Sequence, residues 1–80
     1  MALKLKIVTP DRIVYDGEIE KITVPGTAGQ FEILVNHAPI ISSLDAGVVV
    51  YQTPKGEENL KITGGFVEVA RNNVSLCVEV

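Results

Sequence analysis

The sequence predicts an all-β fold, a flattened two-sheet sandwich of about eight to ten short antiparallel strands. Three observations predict it. Apolar and polar residues alternate with a period of two in one run after another, as in strands that bury a single face. Turn-forming residues separate these runs at intervals of about eight to twelve positions. No stretch carries the 3.6-residue period of a capped helix.

Taken in order, Leu3, Leu5 and Ile7 share one face with Lys4 and Lys6 opposite, and Thr9-Pro10-Asp11 closes this first strand. Asp16-Gly17 supplies a second turn signal. The apolar parity then shifts between Ile19 and Ile22, which predicts a kink carrying the chain from one sheet to the other. After the turn Pro25-Gly26-Thr27-Ala28-Gly29, Phe31, Ile33 and Val35 alternate with Glu32, so Phe31 belongs to the core while Gln30 and Glu32 face outward. Asn36-His37-Ala38-Pro39, Asp45-Ala46-Gly47 and Pro54-Lys55-Gly56 mark further turns.

Gly64-Gly65 lacks the polar flanks of a two-residue hairpin, so a bulge or sharp corner is expected there. Val67 and Val69 flank Glu68, Asn72-Asn73 turns the chain, and Val74, Leu76, Val78 and Val80 oppose Ser75 and Glu79. With no repeat and no low-complexity linker, residues 1–80 are expected to form one unit.

Composition narrows function. A chain of 80 residues buries roughly 60–65% of the surface its unfolded form exposes, so its stability alone is modest. The net charge is −3 and the seven basic residues are dispersed, which argues against a nucleic-acid partner. A single cysteine, Cys77, excludes an intramolecular disulfide and fits a reducing compartment, where it is expected to be a small buried hydrophobe. No run approaches the length of a membrane span, and no signal-peptide pattern opens the chain. Membrane association is therefore expected only through a partner.

The chain is equally poor in chemistry. One His and one Cys, forty positions apart, do not make a metal site, and neither a metal nor a cofactor is expected. Ser42, Ser43 and Ser75 lie in no nucleophile elbow, so no catalytic residue is assigned. The glycines of Gly26-Thr27-Ala28-Gly29 lack the Lys-Ser/Thr pair of a phosphate cradle. His37 admits two readings: a loop histidine that holds its own turn, or an interface residue.

Ordered along the chain are Glu20-Lys21-Ile22-Thr23-Val24, Gly26-Thr27-Ala28-Gly29-Gln30, Asn36-His37-Ala38-Pro39 and Leu44-Asp45-Ala46-Gly47, followed by Gly64-Gly65 and an Asn73-Val74 hairpin. In this order and spacing the chain resembles, over nearly its whole length, the amino-terminal β-sandwich domain of the epsilon subunit of F-type ATP synthase. The resemblance implies a non-catalytic central-stalk (rotor) subunit that packs on the gamma subunit, rests on the c-ring, and couples proton translocation to ATP synthesis. By match to the family pattern, it places the c-ring side at Thr27, Gln30, Phe31 and Glu32, and the gamma side at Thr9, His37, Ile40 and Ser42. It further implies a peripheral location on the cytoplasmic face of a bacterial inner membrane, one copy per rotor, and a monomer when isolated. Many family members continue into a carboxyl-terminal pair of helices; the sequence ends at Val80, so the inhibitory and ATP-binding roles of those helices are not expected here.

Two other classes compete. A biotinyl or lipoyl carrier is also a small β-sandwich with a lysine at a hairpin tip, and Lys55 occupies such a tip, although Pro54 and Gly56 flank it in place of the residues a ligase recognises. A generic interaction module that uses a strand edge or an apolar patch would explain the fold but not the ordered motifs.

Overall fold

The structure is a computed structural model and describes residues 2–80. Nine strands follow one another: β1 (Leu3–Val8), β2 (Ile13–Ile19), β3 (Lys21–Gly26), β4 (Gly29–Ile33), β5 (Ile40–Leu44), β6 (Gly47–Thr53), β7 (Gly56–Ile62), β8 (Gly64–Ala70) and β9 (Asn73–Glu79). They form one hydrogen-bonded sheet in the order β2-β1-β9-β8-β5-β3-β6-β7, with β4 added on β3. The β5–β3 junction is a single residue pair, Gly26 with Leu44. There the sheet folds over, so that β2, β1, β9, β8 and β5 make one layer and β4, β3, β6 and β7 the other. The far sides meet again where the Tyr15 ring of β2 lies 5.1 Å from the Tyr51 ring of β6.

Between the layers lies the core that the alternation predicts. Leu3, Leu5 and Ile7 face inward from β1, Val67 and Val69 from β8, and Val74, Leu76 and Val78 from β9. The second layer answers with Ile22, Val24, Ile33, Val49, Tyr51 and Ile62, all buried. Each fully buried aliphatic side chain of this kind contributes roughly 1.5–3 kcal/mol.

The parity shift of the sequence becomes a break between strands. Ile19 ends β2 in the first layer, Glu20 bends, and Ile22 enters β3 in the second, so both isoleucines reach the same core from opposite sides. Gly64-Gly65 forms the expected corner, where β7 gives way to β8 through Thr63. Gly65 has φ +146°, and a Cβ there would lie 2.3 Å from the Cys77 carbonyl oxygen, so only glycine fits.

Three sequence expectations change. The strands are not all antiparallel: β1 pairs parallel to β9, from Lys4 with Asn73 to Val8 with Cys77. β2 already occupies one edge of β1, and the last strand covers the other; side-chain alternation carries no record of strand direction. Asp16-Gly17 is no turn but the middle of β2, where the Tyr15 ring folds over Gly17 and its hydroxyl donates to the Glu18 carbonyl oxygen at 2.7 Å. Cys77 is half-buried rather than core, because it shares the outward parity of Ser75 and Glu79 while Leu76 and Val78 turn inward.

Candidate functional site

The strand register sorts the connections into two ends. At one end lie the Thr9 loop, the Thr27-Ala28 turn and the Thr63 corner. Thr27 N–H donates to the Ser43 carbonyl oxygen, Asp45 N–H to that of Pro25, and Thr63 N–H to that of Glu79. At the other end lie the loop from Leu34 to Pro39, the Pro54-Lys55 turn and the Arg71-Asn72 turn.

The residues expected on the c-ring side form part of the first end. Thr27 and Gln30 are exposed on the β3–β4 hairpin, and Glu32 is exposed with its carboxylate 3.9 Å from Lys21 Nζ. That pair lies in solvent and contributes at most about 1 kcal/mol, which leaves Glu32 available to a partner. Phe31 pairs with Val24 and packs against the core. Its ring lies so close over the turn that a Cβ on Gly26 would approach it to 2.8 Å, so Phe31 props the turn from below.

The residues expected on the gamma side span the whole five-stranded layer. Thr9 is tied into its own loop: its Oγ1 donates to the Arg12 carbonyl oxygen and accepts from the N–H groups of Asp11 and Arg12. His37 is half-buried at the opposite end, with Nδ1 2.7 Å from the Ala38 carbonyl oxygen. Ile40 and Ser42 lie between these ends on β5, but both are half-buried and share the inward parity of Leu44. Their neighbours Ile41 and Ser43 face outward.

The outer face of this layer carries a feature that motif matching does not find. Ile13 pairs with Val8, Val8 with Cys77, Cys77 with Phe66 and Phe66 with Ser43, so one register row crosses all five strands. Ile13 is 55% exposed, Phe66 46% and Ile41, diagonal to Phe66, 73%. Val8, Cys77 and Phe66 line an open groove of ≈ 490 Å³ that runs to Thr9 and Pro10. An exposed apolar band of this kind marks a contact surface. A signal was present in the sequence: Ile40-Ile41 is a pair of adjacent isoleucines, of which a strand can bury only one, and Phe66 has the outward parity of Glu68.

Among the described residues no three His, Cys, Asp or Glu side chains gather as a metal site. The Ser42 hydroxyl donates to the Ser43 carbonyl oxygen and not to His37. Lys55 is exposed in a turn held by Thr53, whose Oγ1 donates to the Gly56 carbonyl oxygen.

A family profile described as "ATP synthase, Delta/Epsilon chain, beta-sandwich domain" matches residues 2–80. The chain belongs to this family. Among its relatives, the ATP synthase epsilon chain of Synechocystis sp. is 40% identical over 78 residues, covering 98% of this chain and 57% of that one. The chloroplastic ATP synthase epsilon chain of Cyanidioschyzon merolae is 43% identical over 76 residues, covering 95% and 58%. The chain thus spans somewhat over half the length of these delta/epsilon relatives. The fold recurs in a chain of the Euglena gracilis mitochondrial ATP synthase, an OSCP/F1/c-ring structure, with a TM-score of 0.89 at 20% identity, covering 96% of this chain and 50% of that one. It recurs also in the Tetrahymena thermophila mitochondrial central stalk/c-ring structure, with a TM-score of 0.81 at 17% identity, covering 100% and 65%. These likenesses establish the fold. No helix among the described residues is long and apolar enough to cross a membrane.

Proposed function

We propose that this chain is a non-catalytic central-stalk subunit of an F-type ATP synthase, joining the gamma subunit to the c-ring. The apolar row on the five-stranded layer carries the proposal. It crosses the outer face of the layer beside Thr9, while His37 lies at the opposite end of the same layer and Ile40 and Ser42 turn inward, so Thr9 is the residue matched to the gamma side that adjoins the row. The c-ring side falls on the Thr27 end, where Thr27, Gln30 and Glu32 are exposed and polar. Gamma thus takes a flank and the ring an end.

Torque passes between such partners only through noncovalent contacts. The body between them must then be stiff, and a core to which all nine strands contribute buried side chains meets that need. The chain reaches the cytoplasmic face of a bacterial inner membrane through the assembled complex.

The test is binding to gamma. Replacing Phe66 with Ser or Ile41 with Asp weakens binding tenfold or more if the row is a buried contact, each loss corresponding to about 1.4 kcal/mol. Both side chains are exposed in the free chain, so circular dichroism and melting stay near wild type. Undiminished affinity in both variants would place gamma elsewhere.

A further inference from the structure

The His37 turn has few hydrogen bonds of its own. Its backbone is closed by one, from His37 N–H to the Leu34 carbonyl oxygen at 3.1 Å. The other tie comes from across the sheet. Asn36 N–H donates to Asn72 Oδ1 at 2.6 Å, and Asn72 Nδ2 donates to Asn36 Oδ1 at 3.3 Å. Because a backbone N–H can only donate, the first bond fixes which way the Asn72 amide faces, and the second follows from it.

Both asparagines hold left-handed backbone, Asn36 at φ 66° and Asn72 at φ 63°. This is the conformation that asparagine tolerates better than other residues with a side chain. The two turns they occupy are 36 positions apart in the chain and are joined here by a two-bond clasp.

The clasp bears on chemistry at the next residue. His37 Nδ1 lies 2.7 Å from the Ala38 carbonyl oxygen, which only accepts, so Nδ1 carries the proton. In the neutral ring Nε2 is then the unprotonated nitrogen, an acceptor, and no described residue bonds to it. A free histidine ring favours the opposite tautomer. The turn therefore holds His37 in the form that offers a lone pair to the outside.

We propose that Asn72 is a positioning residue: through Asn36 it sets the His37 turn so that Nε2 accepts a hydrogen bond from an N–H or O–H donor on the partner. The identity of that partner as gamma rests on the function proposed above. Asn72 itself need not touch the partner.

The test uses the whole chain labelled with nitrogen-15. In the wild type the imidazole spectrum shows a protonated Nδ1 and an unprotonated Nε2. Asn72→Gly removes both clasp bonds yet keeps a residue suited to left-handed backbone, so the hairpin survives while the spectrum moves toward the other tautomer. Asn72→Asp restores the acceptor for Asn36 N–H and returns the spectrum to the wild-type pattern.

Binding gives the second arm. Asn72→Gly and His37→Ala each weaken gamma binding about five- to tenfold, and the double variant is no weaker than His37→Ala alone. Unchanged tautomer in Asn72→Gly overturns the proposal, and so do losses that simply add. A wild-type chain that fails to bind gamma defeats the rotor assignment instead, and the imidazole spectrum then decides alone whether Asn72 sets the ring.

Discussion

At Gly65 one missing methyl group decides whether the β7–β8 corner closes. A Cβ there would meet the Cys77 carbonyl oxygen at 2.3 Å and the Val78 Cα at 2.7 Å, both backbone of the adjoining strand, and φ +146° is closed to other residues. Gly65→Ala is therefore expected to cost more than about 3 kcal/mol, read as the shift of a urea unfolding curve. A shift below about 1 kcal/mol would mean that the corner relaxes freely. Gly64, whose Cβ would meet only the Leu44 carbonyl oxygen at 3.6 Å, tolerates the same change far better. The glycine pair announced a corner in the sequence, but which glycine was indispensable depended on a strand more than ten positions away.

Tyr51 supplies a residue-scale prediction in pH. Its hydroxyl pKa is raised from 10.0, first by burial and then by the charges of Glu58 and Tyr15. The fold therefore favours the neutral phenol. That contribution is complete below about pH 10, the unfolded value, and is lost as pH rises through the higher folded value. Stability measured from about pH 8 to 11 should fall less steeply in Tyr51→Phe than in the wild type, with little difference near pH 7. Parallel curves would show that Tyr51 does not feel its surroundings in this way.

Among the elements, the β8–β9 hairpin carries a local cost. Ala70 pairs with Asn73, so the two turn residues are Arg71 and Asn72, at φ 53° and 63°. Such a turn suits glycine and asparagine, whereas arginine in left-handed backbone is strained by about 1 kcal/mol. Arg71→Gly should raise the melting temperature by about 3–6 °C, and a lowered one would show that the Arg71 side chain makes a compensating contact. Asn72-Asn73 marked this turn in the sequence one residue late, since three polar residues in a row do not say which two take positive φ.

Strand existence was the most legible part of the chain. Leu3 to Ile7 and Val74 to Val78 bury their odd and even positions as alternation requires. Direction and neighbours were not legible: nothing in either run says that β1 and β9 lie side by side and parallel, because that pairing joins the two ends of the sequence. The candidate site divides the same way. Gln30 and Glu32 face solvent as their parity demands. The apolar row does not exist in any single strand and appears only when Val8, Cys77 and Phe66 are brought into register. Cys77 follows the outward parity of Ser75 and Glu79 and not the burial preference of its side chain.

On the scale of the whole molecule, the surface is 4865 Å². Two interfaces of ordinary size, about 800 Å² each on this side, would cover about a third of it. A body that small exposes its contact faces when alone, and its stability should rise on assembly. Saturating gamma at a hundred times its dissociation constant should stabilise the chain by about 2.7 kcal/mol, seen as a higher melting temperature. No shift at saturation would count against the flank contact.

The most direct measurement is reconstitution of an ATP synthase from which this chain has been withheld. With the wild-type chain added back, an imposed ion gradient should drive ATP formation, and the Phe66→Ser variant should restore it only at higher concentration. A complex that makes ATP at the full rate without the chain would contradict the proposed joint between gamma and the ring.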